Sequence, residues 1–141
     1  MKRTLIALAI IATSITAYAA PQTKPQRDIA EINAAQQIEQ EAQKYVLKVY
    51  ANLGYEPAVA AQFAASKEGK QIAYIMRDAI IFGRMNRGIP PEVLSPEKLD
   101  LHAKETMLRM PVVAQNIDDD AYMRAIYITW ADAFFNAQKG Q

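Results

Sequence analysis

Few residues in this 141-residue chain could do acid–base or metal chemistry: one histidine, a run of three aspartates and scattered glutamates. His102 sits beside Leu99, Ala103 and Thr106. A hydrolytic triad would need a nucleophile and an orienting acid around it. No G-x-S-x-G or H-E-x-x-H motif is present. Haem ligation by His102 and a methionine is a conceivable alternative, but methionines in a helical protein usually fill the core. A structural or surface role for His102 is the expectation. Asp118, Asp119 and Asp120 supply three carboxylates in a row. A calcium loop spaces its ligands at alternate positions and needs a Gly and a distal Glu. Here Ala121 and Tyr122 follow directly, so capping of a helix explains the run and no metal site is predicted. Glu92, Glu97, Asp100 and Glu105 are the raw material for a carboxylate-pair glycosidase. That reaction needs two carboxyls about 5 to 10 Å apart across a cleft, one of them in an apolar pocket. Nothing in the sequence demands such a pocket, so no catalytic residue and no cofactor is assigned. Cysteine is absent, which removes thiolate chemistry and disulfides.

Binding is better represented than catalysis. Lys70, Arg77 and Arg84 are seven residues apart and share one helix face. Tyr74 lies between the first two, and Arg87 lies one turn beyond Arg84. Such a strip suits an acidic partner or an anionic glycan. The competing reading is the solvated edge of a buried helix, with the arginines paired to acids on neighbouring elements. A second candidate is the aromatic set Tyr122, Tyr127, Trp130, Phe134 and Phe135. One helix face cannot bury all five. Tyr127 and Phe135 point away from the Ile126–Trp130 side, so they are candidate interface aromatics, covered by another helix or by a second copy of the chain.

The elements that must position these residues read as helices. Gln71 to Asn86 is the most apolar run after the N-terminus, apolar around most of a helix circumference, and so belongs in the middle of a bundle. Ala79 and Gly83 are one turn apart, which allows a neighbouring backbone to come close. The apolar spacing predicts a first helix over 27–53, with Ile29, Ile32, Ala35, Ile38, Ala42 and their successors in one stripe. Gly54 closes it as a C′ glycine. A short second helix over 56–65 starts at Pro57 and offers Ala58, Val59, Ala61, Phe63 and Ala64 for packing. Ser66 caps the third, central helix. Ser95-Pro96-Glu97 starts a fourth over 96–109, with Leu101, Leu108 and Val112 along its stripe. Pro111 opens a kink or a separate turn. A fifth begins at 116–119 and runs to about Gln138, burying Tyr122, Ile126, Trp130, Ala133, Phe134 and Ala137. No alternating stretch calls for a strand. The fold class is therefore all-α: a single-domain bundle of about five helices.

The N-terminus carries the clearest statement about location. Lys2 and Arg3 precede the uncharged apolar run Leu5–Ile15, and Ala17-Tyr18-Ala19 supplies small residues for a signal peptidase. Residues 1–19 read as a cleaved signal peptide, 20–26 as a flexible lead and 27–141 as the helical domain. Retention as a membrane anchor is the alternative; Thr13, Ser14 and Thr16 weaken it. Removing Lys2 and Arg3 from 16 basic residues leaves 14 against 15 acidic, a net charge of −1 with no general pull toward nucleic acid or anionic lipid. With 51% apolar and 22% charged residues the chain is globular in composition, not disordered. The expectation is an exported, periplasmic or secreted bacterial protein, non-catalytic, that binds a protein partner in the envelope as an inhibitor, immunity or accessory factor. A cell-wall hydrolase and a periplasmic carrier of an apolar ligand are the alternatives.

Overall fold

A carboxamide and a proline start the first helix. In the computed structural model, which describes residues 23–90 and 92–140, α1 spans Lys24–Asn52. The Thr23 N–H donates to Gln26 Oε1 at 2.9 Å, the returning half of a capping box. Lys24, Pro25 and Gln26, read from sequence as part of the lead, thus form the first turn of the helix. The signal-peptide segment lies outside the described residues. The chain divides into two units, Met1–Gln40 and Glu41–Gln141. In the first, Ile29 and Ile32 of the expected stripe are exposed. In the second, Ala42, Val46 and Val49 of the same stripe are buried, as is Tyr50 beside it.

The end of α1 is a Schellman motif. Gly54 adopts φ +87°, and the N–H groups of Tyr55 and Gly54 donate to the carbonyls of Tyr50 and Ala51 at 3.1 and 2.9 Å. The Tyr50 and Tyr55 rings meet edge-on at 6.0 Å, the hydrophobic contact that accompanies the motif. Then follow α2 (Pro57–Ala65), α3 (Lys67–Met85), α4 (Pro96–Leu108), α5 (Pro111–Ala114) and α6 (Asp120–Lys139). Among the described residues every regular element is a helix. No helix among them is long and apolar enough to cross a membrane. The caps are those the sequence indicates. Ser66 Oγ accepts from the Gly69 N–H, Ser95 Oγ from the Lys98 N–H, and Asp119 Oδ1 from the Tyr122 N–H at 3.0 Å.

Two buried faces differ from expectation. On α2 only Ala60 and Ala64 are buried; Val59 and Phe63 stay partly in solvent, with the Phe63 ring stacked on Tyr50 at 5.4 Å. On α4, Leu101 and Leu108 are 59% and 49% exposed, and the core takes Leu99, Ala103, Thr106 and Met107 instead. Leu99, Ala103, Thr106 and Met107 fall at helical spacing on one face, whereas Leu101 and Leu108 lie on the opposite one.

The middle helix behaves as read. α3 buries Ile72, Ala73, Ile75, Met76, Ala79, Ile80 and Gly83, and it meets α2, α4, α5 and α6. It approaches α6 at backbone contact. A Cβ placed on Gly83 would lie 2.3 Å from the Phe134 carbonyl oxygen and 2.9 Å from the Ala137 Cβ. Because the first obstacle is backbone, no rotamer change relieves it. Gly83→Ala should therefore force α3 and α6 apart and destabilise the fold by about 1–3 kcal/mol or more, although alanine is the better helix former. Urea denaturation followed by circular dichroism measures this; a neutral or stabilising result would show that the two helices do not cross here.

Candidate functional site

The polar residues with chemistry in their side chains are brought together by α3 and α4. Asp78 accepts twice on one carboxylate oxygen: it lies 2.9 Å from His102 Nε2 and 3.2 Å from Thr106 Oγ1. The Thr106 hydroxyl also lies 3.0 Å from the His102 carbonyl. The imidazole stacks on Phe82 at 4.0 Å, nearly parallel, with Trp130 6.0 Å away. A His–Asp pair is two-thirds of a hydrolytic constellation. The hydroxyl present, however, addresses the carboxylate and not the imidazole, so the geometry orients a histidine without activating a nucleophile. Sequence inspection grouped His102 with Thr106 but missed Asp78, because one helical period does not reach across 24 residues of chain.

The other acids have structural partners or stand in solvent. Asp100 pairs with Lys104 at 2.8 Å along α4, and hydrogen bonding to Asp100 holds the Lys104 ammonium above its ordinary range. Glu92, Glu97 and Glu105 are exposed. Asp119 caps α6 and Asp120 occupies its first turn. Among the described residues no three His, Asp or Glu side chains converge as metal ligands.

The basic strip divides. Arg84 meets Glu41 of α1 at 2.9 Å, half-buried. Arg87 Nε donates to the Ala137 carbonyl at 2.9 Å, a cation on one of the last carbonyls of α6. Lys70 is exposed. Tyr74 is 49% exposed, on a helix otherwise given to the core, and the Arg77 guanidinium lies 5.4 Å over its ring. Strip and interior pairing thus coexist on one helix, the first toward its start and the second toward its end.

The interface aromatics open onto a groove. Tyr127, Trp130, Ala131, Phe134 and Phe135 of α6 form one wall of a cavity of about 370 Å³; Leu94, Pro96 and Leu99 form the other. Trp130 and Phe134 stack in parallel at 5.5 Å, and Phe135 meets Phe134 edge-on at 5.2 Å. Trp130 and Phe134 are buried, whereas Phe135 is 43% exposed. The α6 wall was readable from periodicity; the opposite wall was not, because Leu94 precedes α4 and Pro96 and Leu99, at the start of α4, lie off the stripe read for that helix.

A third polar cluster lies on the side of α1. Tyr50 Oη donates to Glu68 Oε1 at 2.7 Å. The Tyr122 hydroxyl is buried with no hydrogen-bond partner among the described residues. Burial pushes both hydroxyls above their ordinary value of 10.0, and the Glu68 carboxylate adds to the rise. No family model, no curated protein and no solved structure matches this chain.

The two tyrosines set an alkaline limit. With pKa values raised in the folded state, the unfolded chain loses these protons first. Their contribution is thus fully present below the ordinary value of 10.0 and is lost as pH rises above it. Urea midpoints measured across that range should fall. The double variant Tyr50→Phe/Tyr122→Phe should be flatter with pH, even if it starts lower. An equally steep fall in the double variant would assign the alkaline loss to other groups.

Proposed function

We propose that this chain is a small exported helical protein of the bacterial envelope that acts by binding a protein partner and not by catalysis. The reading takes the helices from Lys24 onward as a single all-α domain behind a cleaved signal peptide, working in the periplasm or outside the cell. Tyr74 is the observation that carries it. A half-exposed tyrosine under an arginine, on the helix that otherwise supplies the centre of the core, is the kind of side chain that anchors interfaces. Lys70, one turn back, adds a cation at the rim and makes an acidic partner surface the fitting complement. Arg84 and Arg87 hold α3 in place through Glu41 and the Ala137 carbonyl and so support the strip from within. The hydrolase alternative is not carried forward. Its acids are capped, paired or solvated, and the one polar pair on α3 and α4 lacks an activated nucleophile.

In-cell crosslinking tests the reading. A photoreactive phenylalanine analogue in place of Tyr74 should trap one envelope protein. In affinity pulldown of that protein with the otherwise unmodified chain, Tyr74→Ala and Lys70→Glu should each reduce capture by about tenfold, equivalent to about 1.4 kcal/mol, with the helical circular dichroism unchanged. The trapped protein should carry a mature partner chain beginning at Ala20. No crosslink from Tyr74, or the same crosslinks from exposed Ile128 on α6, would overturn it.

A further inference from the structure

We propose that the groove between α6 and the start of α4 is a binding site for an uncharged aromatic small molecule, distinct from the α3 strip. Size comes first. At about 370 Å³ the cavity lies within the roughly 300–1,000 Å³ range of small-molecule sites. A docked protein segment covers roughly 800 Å² on each side, far more than one such groove offers. The size of the groove by itself matches a free compound.

Charge comes second. Among the described residues, no ionisable side chain that is charged at neutral pH lines the groove. A charged ligand would lose its hydration with no counter-charge to replace it, at a cost of several kcal/mol by the general order for buried ions. The polar side chains on the lining with accessible surface are Tyr127 and Gln138; the Trp130 indole N–H is buried. Gln138 Nε2 donates to the Asn86 carbonyl at 3.3 Å, which fixes the amide orientation and leaves Oε1 as its acceptor. One neutral hydrogen-bonding handle on the ligand suits this lining.

Ring geometry comes third. Trp130 and Phe134 are buried and stacked on each other beneath the groove, while Phe135, at 78° to Phe134, is exposed and Tyr127 partly so. A guest ring can stack on or meet edge-on the accessible Phe135 and Tyr127 rings, arrangements worth about 0.5–1.5 kcal/mol beyond area burial.

Trp130 is the only tryptophan in the chain, so the site carries its own reporter. The full chain titrated with N-phenylnaphthylamine, an uncharged arene, should show saturable one-to-one binding with energy transfer from Trp130. Ala131→Phe, which fills the groove from a half-exposed position, should weaken binding by at least about tenfold. Phe63→Ser, in the separate aromatic cluster with Tyr50 and Tyr55, should leave it unchanged. If Ala131→Phe loses its helical signal, Gln138→Glu replaces it, since a carboxylate at the groove should repel the apolar guest to a similar degree. Absence of saturable binding, equal binding by the groove variants, or equal loss in Phe63→Ser would overturn the proposal. So would a dimer that excludes the probe and dissociates on Ala131→Phe, since the occupant would then be a second copy. The partner reading rests on Tyr74 and stands or falls separately.

Discussion

The backbone-to-backbone approach of α3 and α6 at Gly83 is the constraint on which the second unit depends. With no side chain at that position, the α6 carbonyl at Phe134 comes into contact with the surface of α3. Ala79 on α3 and Ala133 and Ala137 on α6 are buried and keep the rest of the crossing narrow. Close packing of two backbones leaves the large side chains to flank the crossing instead of separating it. Phe82, Trp130 and Phe134 therefore collect beside it, with ring centroids 5.4 to 6.4 Å apart. The same crossing fixes the wall of the groove, since Trp130 and Phe134 serve as core on one side and as lining on the other. Fold and candidate ligand site share these two rings.

Polar groups fasten the smaller elements to this pair. Asp78 reaches α4 through His102 and Thr106, and Gln71 Oε1 accepts from the Val112 N–H of α5 at 2.8 Å. Tyr50 reaches the start of α3 through Glu68, and Asn136 donates to the Tyr45 hydroxyl at 3.0 Å. Most of these groups are part-buried, where an unmade hydrogen bond costs more than a made one contributes. They select one arrangement of the helices against sliding alternatives. This also accounts for the carboxylates that raise the question of catalysis. Asp78, Glu41, Glu68 and Asp119 are each occupied in holding one element to another or in ending a helix.

Reading by residue type succeeded where the physics is local. Ser66, Ser95 and Asp119 cap because their oxygens reach an N–H three residues on, and Gly54 ends α1 because it alone takes the left-handed conformation cheaply. Ala79 and Gly83 announced a close neighbour because small residues one turn apart clear a strip of helix surface. Hydropathy failed where the choice between two helix faces decided the outcome. On α4 it favoured the side of Leu101 and Leu108, yet the face turned to the core is the one Leu99, Ala103, Thr106 and Met107 share. It also overlooked Thr23-Lys24-Pro25-Gln26 as a helix start, since the expected apolar stripe begins later than the cap.

The sequence by itself determined the all-helical class, the caps, the centrality of α3 and the surplus of aromatics on α6, because each follows from periodicity or from contacts within one turn. It also raised the N-terminal segment as a signal peptide on composition alone. Only the tertiary structure decided which helix α3 touches at Gly83, that Asp78 faces His102, that Arg84 pairs with Glu41 and Arg87 with the Ala137 carbonyl while Tyr74 stays half in solvent, and that Tyr127 and Phe135 border a groove. These depend on distances between residues far apart in the chain, and such distances are set by how whole helices pack, which no local pattern encodes.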